Sequence, residues 1–427
     1  MTALAAPAIA TGAAPRSLIE RIQHGLLWLI GFSSGFVMIE PAPYEFVVVI
    51  AVIAFAATGM TLRAGHLPLA FLLILYNIGC VAALMPVIAL EDTAKWTAVT
   101  CFLAVTSLFF AIIIVDDTER RLDALLKGYI LSAVVTSIIA ILAYFKLIPG
   151  WEVFIMALRA KSTFKDPNVF GPFLILPALL VLQRMMFGRL RDILVGGLTL
   201  LVIAAGLLLS FSRGAWAHIA VSALLMLFFT YLTTRKATER LRIMVFAMIG
   251  AGVLALFIVA LLSLDQVADL FKERASLVQD YDSGHLGRFG RHTLGALMAL
   301  DHPNGIGPLQ FTKYLPEDPH NSFLDAFMAG GWLGGVTYLA IALVMVVLGL
   351  RHVFVPAPWQ ATYIALYAAF LGEVGESYII DVQHWRHYFL IVGLVWGLMV
   401  IRPAARGAVA PREPRPLVQS PSLRGAR

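Results

Sequence analysis

LPLAFLLILYNIGCVAALMPVIAL, residues 67 to 90, decides the fold of this chain, because it contains no charged residue and is long enough to cross a bilayer. An α-helix needs about 20 predominantly apolar residues to span the hydrocarbon core of a membrane. Comparable runs recur along the sequence, and the polar breaks between them are short. The sequence therefore predicts an all-α protein that crosses a membrane many times.

The composition of the whole chain supports this prediction. Of the 427 residues, 60% are hydrophobic and 14% are charged, and the mean hydropathy is +0.84, whereas soluble domains are about 25% charged. The net charge of +6 is typical of basic cytoplasmic loops, so we expect membrane lipids and no nucleic acid as partners. Cys80 and Cys101 lie inside apolar runs and are interpreted as small core residues, not as a disulfide or a metal site.

Hydropathy predicts about twelve transmembrane helices in a single domain over residues 1–401. The first is interpreted as an uncleaved helix, and residues 402–427, rich in Pro and Arg, are predicted to form a disordered cytoplasmic tail. The predicted spans are His24–Ile39, Tyr44–Met60, Leu67–Leu90, Ala94–Val115, Ala124–Ile148, Pro167–Phe187, Ile193–Leu209, Gly214–Leu232, Leu241–Leu264, His320–Leu350, Trp359–Ser377 and Trp385–Ile401.

The distribution of Lys and Arg predicts the orientation. With both termini cytoplasmic, most of the 32 basic residues fall in cytoplasmic segments, as the positive-inside rule requires. A minority lies on the outward side, where basic residues are normally depleted, and includes Lys161, Lys165, Arg213, Arg288, Arg291 and Arg386. We interpret these outward cations as a sign of an anionic ligand.

Two outward segments between the spans carry a pattern of their own. Trp151, Phe154, Ile155 and Leu158 follow helical spacing, which predicts a short helix lying on the membrane surface. The loop over residues 265–319, between spans nine and ten, is predicted to contain a helix from about residue 288 to 300, ended by the Pro and Gly residues that follow. We expect this loop to act as a lid.

Two short motifs place cations at the outward starts of helices. Asp166 and Pro167 have the residue types of an N-cap and a first helical position, which leaves Lys165 as the ligand contact. Ser212 is expected to cap the next helix beside Arg213. An Arg next to free helix N-terminal amides binds phosphate well, because the helix dipole and the guanidinium act at one point.

Two further motifs lie in and after the long loop. Arg288, Arg291 and His292 share one helical face, which is either a solvated basic face or part of an anion site. His320 opens span ten, with Asn321 or Ser322 as its cap, and an imidazole at that position can act as a general base near neutral pH.

Ionisable residues inside the spans are costly, so function or mutual pairing is the default interpretation. His218 follows Arg213 by little more than a turn, and Glu373 and Glu376 lie near the outer end of span eleven, where they could pair with the outward arginines. The next outward loop contains four polar residues close together, Asp381, His384, Arg386 and His387. The sequence leaves open whether they form a structural network or a substrate-binding one.

Three ordered motifs resemble the O-antigen ligase and polymerase family of membrane glycosyltransferases. They are FSRGAW at residues 211–216, GRFGRHTLGALMALDHPNGIGPLQF at residues 287–311 and HNSFLDAFMAGGWLGG at residues 320–335. A small turn, a large outward loop and then a His-Asn pair opening a helix follow the family's order. The first half of the chain matches only in hydropathy and in FKDPNVFG.

The resemblance implies a GT-C-like enzyme of the bacterial inner membrane, with its active site on the periplasmic side. It would transfer a glycan from undecaprenyl diphosphate to an acceptor hydroxyl, with no cofactor and no metal ion, by one displacement with inversion. By that resemblance, His320 is the general base and Arg213 and Arg288 hold the diphosphate. The further candidates for substrate binding are Arg291, Lys165, Asn321, His218, Glu376 and Arg386.

Three functions remain open at this point. An O-antigen ligase, which uses lipid A core as acceptor, is the first candidate, and a polymerase that extends an O-antigen or exopolysaccharide is the alternative. The third is a transporter of a small anion such as bicarbonate. A transporter should place its polar site near the bilayer midplane, often with broken helices, whereas the polar residues here gather at one face.

Overall fold

The computed structural model describes residues 17–275, 284 and 286–401 of the chain, which are helical for most of their length. The predicted tail at 402–427 lies outside the described residues. The elements are α1 Leu18–Ser33, α2 Pro43–Thr58, α3 Leu67–Leu84, α4 Thr93–Ile113, α5 Thr118–Tyr144, β1 Ile155–Met156, β2 Arg159–Ala160, α6 Pro167–Phe173, α7 Ile175–Phe187, α8 Leu190–Leu209, α9 Arg213–Thr233, α10 Ala237–Leu262, α11 Asp265–Ala275, α12 Arg288–Asp301, α13 Ser322–Val353, α14 Gln360–Glu376 and α15 Arg386–Val400.

Twelve helical segments of the described chain occupy the positions of the twelve predicted spans. The pair α6–α7 forms one of them, and the others are α1–α5, α8–α10 and α13–α15. Eight described helices are long and apolar enough to cross a membrane, and α2 and α15 are shorter apolar helices. The all-α polytopic fold is confirmed. The first helix begins at Leu18, earlier than predicted, because Ser17 and Glu20 form a capping box there, and it ends at Ser33.

Small residues let the main helix pairs pack closely. In the contact of α3 with α13, Gly79 lies against the backbone of Gly330 and Gly334. In the contact of α1 with α5, Gly128 meets the Trp28 carbonyl. Close backbone approach through small residues is how helices associate when lipid removes the hydrophobic drive between them. By contrast, α10 buries only Ile243 and lies at the edge of the bundle.

The prediction of a surface helix around residues 151–158 is wrong. Residues Trp151–Phe154 form a single 3₁₀ turn, and β1 and β2 pair as an antiparallel hairpin. Ala157 and Leu158 at its tip have positive φ, which no helix allows. The hairpin points Arg159 inward, where its guanidinium donates to the Ser210 carbonyl at 2.9 Å and to Asn168 Oδ1 at 2.6 Å. These contacts of Arg159 favour the hairpin over the helix that the local spacing predicted.

The tenth span is broken, which the sequence analysis did not predict. Gly331 of α13 has φ 62° and ψ −166°, values outside the helical region. The loop at residues 303–307 fills the break: the amides of Ile306 and Gly307 donate to the Met328 carbonyl, and the Trp332 amide donates to the Pro303 carbonyl at 2.8 Å. The loop after α12, which is rich in Pro and Gly, therefore supplies hydrogen-bond partners to the backbone on both sides of the break.

The long loop contributes two helices that rest on the bundle. On α11, the Phe271 ring stacks on Trp216 of α9 at 5.2 Å, and the Gln266 carbonyl accepts from Tyr144 Oη at 3.2 Å. The second helix, α12, packs on α13 and confirms the helix predicted from residue 288 to 300. We call the end of the bundle that carries these helices the outer face, following the predicted orientation.

Candidate active site

Arg213 begins α9 at the outer face. Ser212 caps the helix, since its hydroxyl accepts from the Ala215 amide at 3.4 Å, as predicted. The turn before it contains Phe211 at φ 46°, and Arg159 braces that turn through Ser210. The start of α6 also follows the prediction, because Asp166 caps it and Pro167 takes the first helical position. Both helix starts are therefore fixed by local capping and by the hairpin.

His320 precedes α13 at the same face, with a backbone φ of 48°. Its Nδ1 atom lies 3.3 Å from Asp381 Oδ2, and 38% of the His320 side chain is exposed. Asn321 is the N-cap, since its Oδ1 accepts from the Leu324 amide at 3.0 Å. The imidazole is therefore oriented by a carboxylate and remains accessible from outside.

The loop after α14 brings Asp381 to His320. The Ser322 hydroxyl donates to the Ile380 carbonyl at 2.8 Å and accepts from the Val382 amide at 2.7 Å. The Ser322 amide donates to the Ser377 carbonyl at 2.8 Å. One serine thus holds this loop against the start of α13, which sets the separation between the imidazole and the carboxylate.

Helix α12 lies over this point. The His292 ring sits against the backbone of Pro319 and His320, and burial lowers the pKa of His292 while the Pro319 carbonyl opposes that shift. Arg288 lies one turn earlier on the same helix. Arg291 instead turns away: it is buried, forms an ion pair with Glu317 at 2.8 Å and donates to the Leu286 carbonyl. Of the predicted basic face, His292 therefore contacts the backbone next to His320, whereas Arg291 pairs within the loop.

Asp318 is a second carboxylate near His320. Asp318 is half-buried, and burial followed by the negative charge of Asp381 raises the pKa of Asp318. One turn into α13, Asp325 accepts a hydrogen bond from Gln383 Nε2. We call His320, Asp381, Asp318 and His292 the histidine cluster.

The last turn of α14 joins α9 to this cluster. Glu376 Oε2 lies 2.6 Å from His218 Nδ1, and His218 Nε2 donates to the Ala369 carbonyl at 3.0 Å. The other Glu376 oxygen faces Gly214, next to Arg213: a Cβ built on Gly214 would lie 2.7 Å from it. Since the next residue, Ser377, bonds to Ser322, the starts of α9 and α13 are held by consecutive residues of one helix end.

Two other predicted cations belong to a separate arrangement, which we call the ion cluster. Arg386 Nε lies 2.5 Å from Glu45 Oε1, and its NH2 lies 3.3 Å from Glu40 Oε1. Lys165 Nζ lies 2.8 Å from Glu40 Oε2. Burial raises the pKa of Glu40, but the hydrogen bond and charge of Lys165 and the charge of Arg386 outweigh it and hold the pKa below the usual value. The ion cluster ties α2, α6 and α15 together.

The structure gives different partners to Asp381, His384, Arg386 and His387, the four polar residues whose network the sequence left open. Asp381 faces His320, Arg386 joins the ion cluster, and His387 Nε2 lies 3.3 Å from the buried Glu373. His384 Nε2 lies 2.8 Å from Thr100 Oγ1, and burial lowers the His384 pKa to about 4. Only Asp381 reaches the histidine cluster.

Apart from Arg291, which pairs with Glu317, the predicted site residues fall into three groups. His320 and Asn321 meet α12, which carries Arg288, while Arg213, His218 and Glu376 form the adjoining group, and Lys165 and Arg386 lie in the ion cluster. Sequence reasoning did not assign Asp381 or Asp318 a role, and their only sequence signal was a position in an outward loop. Among residues 17–275, 284 and 286–401, no three His, Cys, Asp or Glu side chains are grouped so as to hold a metal ion.

These features define an integral membrane protein with a histidine–carboxylate pair and an arginine-headed helix held together at one face. Residues 198–339, about a third of the chain, match the family model described as O-Antigen ligase. The three motifs that carry the resemblance all lie in that segment, as do α9, α12 and the broken half of α13. This segment is therefore similar to the O-antigen ligase family, as its motifs predicted. No curated protein matches the chain.

Proposed function

We propose that the protein transfers a glycan from undecaprenyl diphosphate to an acceptor hydroxyl on the periplasmic face of the inner membrane, as an O-antigen ligase acting on lipid A core. The observation that carries the proposal is the His320–Asp381 pair at 3.3 Å, partly exposed at the outer face. The family match supports a ligase or polymerase type of reaction.

His320 is the general base of the proposed reaction. The acceptor oxygen attacks the anomeric carbon while its proton passes to His320 Nε2, and Asp381 beside Nδ1 stabilises the imidazolium that forms. The bond between the sugar carbon and the diphosphate oxygen breaks, and undecaprenyl diphosphate leaves with the bonding electrons. Attack opposite the leaving group inverts the anomeric centre.

Arg213 and Arg288 stabilise the leaving diphosphate. Negative charge grows on it in the transition state, and fixed cations stabilise such charge most where water is scarce. Both residues open a helix, at α9 and α12, so free backbone amides add to their effect. The donor is already activated, so no cofactor is required.

A transporter explains the structure less well. Its broken helix would be expected to line a substrate cavity, whereas the break at Gly331 is closed by the backbone of the loop at residues 303–307. A polymerase shares the donor chemistry and differs from a ligase in its acceptor.

His320→Ala tests the base, with His352→Ala as the matched control at the opposite end of α13. His352 bonds to the Leu348 carbonyl one turn earlier and is remote from the histidine cluster. We expect His320→Ala to reduce glycan transfer in membranes by about 1000-fold, while insertion and the activity of His352→Ala stay normal. Wild-type rates in His320→Ala would contradict the assignment.

Deleting the gene and separating extracted lipopolysaccharide on a gel distinguishes the three functions. Loss of all capped lipid A, with lipid-linked glycan accumulating, identifies a ligase. Survival of caps with one repeat unit identifies a polymerase. Unchanged glycans together with lost solute uptake would identify a transporter.

A further inference from the structure

A buried histidine–glutamate pair lies beside the start of α9. Glu376 Oε2 is 2.6 Å from His218 Nδ1, and both side chains are 1% exposed. Gly372, one turn earlier on α14, leaves room for the imidazole, since a Cβ at that position would overlap His218. The pair is therefore shielded from water, and any net charge on it would act more strongly than a charge at the surface.

The partners of His218 determine where its hydrogens lie. Its Nε2 atom is 3.0 Å from the Ala369 carbonyl, which can only accept, so Nε2 carries a hydrogen. At 2.6 Å, Nδ1 and Glu376 Oε2 need a second hydrogen between them, because two unprotonated acceptors would repel each other. Whether the nitrogen or the oxygen holds that hydrogen, the pair has no net charge.

The second oxygen of Glu376 connects this pair with the proposed diphosphate site. Glu376 Oε1 is buried and has no hydrogen-bond partner among the described residues. It faces Gly214, where an added Cβ would lie 2.7 Å from it, and the residue before Gly214 is Arg213, which begins α9. A net negative charge on Glu376 would therefore oppose Arg213 and the positive end of the helix dipole, which together attract a diphosphate.

Both carboxylates of α14 are matched by histidines and not by permanent cations. One turn before Glu376, the buried Glu373 has its Oε1 atom 3.3 Å from His387 Nε2 of α15. A contact between α9 and α14 does not itself require a charged group, because Ser222 makes one by donating to the Ala368 carbonyl at 2.9 Å. The histidine beside Glu376 therefore contributes something that a hydroxyl does not, a hydrogen that neutralises the carboxylate.

We propose that His218 is a positioning residue that keeps Glu376 free of net charge, so that the charge of Arg213 remains available to the diphosphate. The inference rests on the proposed function and names a residue that supports the diphosphate site without touching the substrate. It assigns His218 and Glu376, which the sequence predicted to bind substrate, a role inside the protein, in agreement with their burial.

Two substitutions separate the charge of the pair from its hydrogen bond. His218→Asn keeps an N–H group near the position of Nδ1 but cannot share a proton, so it leaves Glu376 as an uncompensated carboxylate. Adding Glu376→Gln to this variant removes the negative charge again. Ser222→Ala is the matched control, because it deletes an uncharged contact between the same two helices. Steady-state kinetics with the lipid-linked donor in nanodiscs at pH 8 provide the measurement.

We expect His218→Asn to raise the donor KM by about tenfold, because the uncompensated carboxylate repels the diphosphate where screening is weak. The kcat should change by less than about threefold, since the diphosphate is charged in the ground state and in the transition state alike. The double variant and Ser222→Ala should lie within about twofold of the wild-type KM. A double variant at least as impaired as His218→Asn would indicate a packing role or a substrate contact and would overturn the proposal.

Binding of undecaprenyl diphosphate gives a second measurement that does not depend on turnover. Its Kd follows from the thermal unfolding of each variant at increasing ligand concentration. We expect the Kd to rise by about tenfold in His218→Asn and to recover in the double variant. Equal Kd values in His218→Asn and the wild type would overturn the proposal. Diphosphate binding by a wild-type protein that transfers no glycan would contradict the proposed function, and the series of Kd values would still decide the role of His218.

The single variant Glu376→Gln decides the matter if His218→Asn does not fold. It removes the carboxylate and leaves a neutral imidazole, so the donor KM should rise by less than about threefold. A tenfold rise would mean that Glu376 is needed for its own charge, which contradicts the proposal.

Discussion

The ion cluster and the histidine cluster lie at the same outer face and are built in opposite ways. In the ion cluster, Glu40 and Glu45 are matched by Lys165 and Arg386, so its charges are balanced within the protein. In the histidine cluster, Asp381 lies 3.3 Å from His320, and the His320 imidazole is charged only when it is protonated. Pairs between permanent charges suit a structural contact, whereas a carboxylate beside an imidazole suits proton transfer.

The structure divides the outward cations, of which the sequence motifs assigned Arg213 to the diphosphate and Lys165 and Arg386 to further substrate binding. Lys165 and Arg386 already have carboxylate partners in the ion cluster, which favours a structural role for them. Arg213 opens α9 beside the helix end that also holds His320.

Arg213→Ala should have the largest effect. We expect kcat/KM for glycan transfer to fall by about 1000-fold, because the cation stabilises charge that develops on the leaving diphosphate. The control is Arg351→Ala, at the opposite end of α13. Steady-state kinetics in nanodiscs provide the measurement, and unchanged saturation by the donor would contradict the diphosphate role.

Arg386→Ala should act on stability. Removing the guanidinium leaves Glu45 and Glu40 without their shared partner in a largely buried site, which costs about 3 kcal/mol. Thermal unfolding in detergent measures the loss, and Arg386→Lys should lose less because it retains the charge. If stability is unchanged and the donor KM rises, the substrate-binding role predicted for Arg386 holds and the division fails.

Asp381→Asn should lower kcat by about 30-fold, with the donor KM unchanged, because Asp381 orients His320 and stabilises its protonated form. The variant keeps the size of the side chain and removes its charge. Asp269→Asn on α11 is the control, since that carboxylate is exposed and lies 3.9 Å from Lys272 Nζ on the same helix. Equal rates in Asp381→Asn and the wild type would show that Asp381 does not assist His320 in the reaction.

Hydropathy could predict the spans, because lipid imposes one simple requirement on each of them. The residue types at Asp166 and Ser212 predicted the helix starts there, since capping is local. The hairpin around residue 157 could not be predicted, because Trp151, Phe154 and Leu158 satisfy helical spacing and the deciding contact of Arg159 is with Ser210, far along the chain. The break at Gly331 depends in the same way on the distant loop at residues 303–307.

The candidate site was predictable in residue type and not in pairing. His320 and Arg213 were recognisable as polar residues at outward helix starts, and the motifs strengthened that interpretation. The partners of Arg386 and His320 are separated from them by long stretches of sequence, since Glu45 lies on α2 and Asp381 follows α14. Such pairings arise only when the helices pack, so sequence spacing contains no information about them.

The smallest effect concerns the pH dependence of stability, where the two clusters should differ in sign. The pKa of Glu40 is lowered in the folded protein, so its ionised form adds stability above pH 4.5, and this stability is lost as the pH falls through the folded pKa. The pKa of Asp318 is raised, so stability is lost as the pH rises from 3.8 through its folded pKa. At pH 7, Glu40→Gln should therefore destabilise the protein and Asp318→Asn should stabilise it.

Each of these changes should be below about 1 kcal/mol, because both sites are partly solvated. Thermal unfolding of the wild type and both variants at pH 7 and pH 4 measures them, with Glu239→Gln, an exposed carboxylate on α10, as the control. The two variants should lie on opposite sides of the wild type at pH 7 and approach it at pH 4, since protonation makes each carboxyl resemble its amide. Shifts of the same sign at pH 7 would contradict the opposite pKa shifts of Glu40 and Asp318 from which this prediction follows.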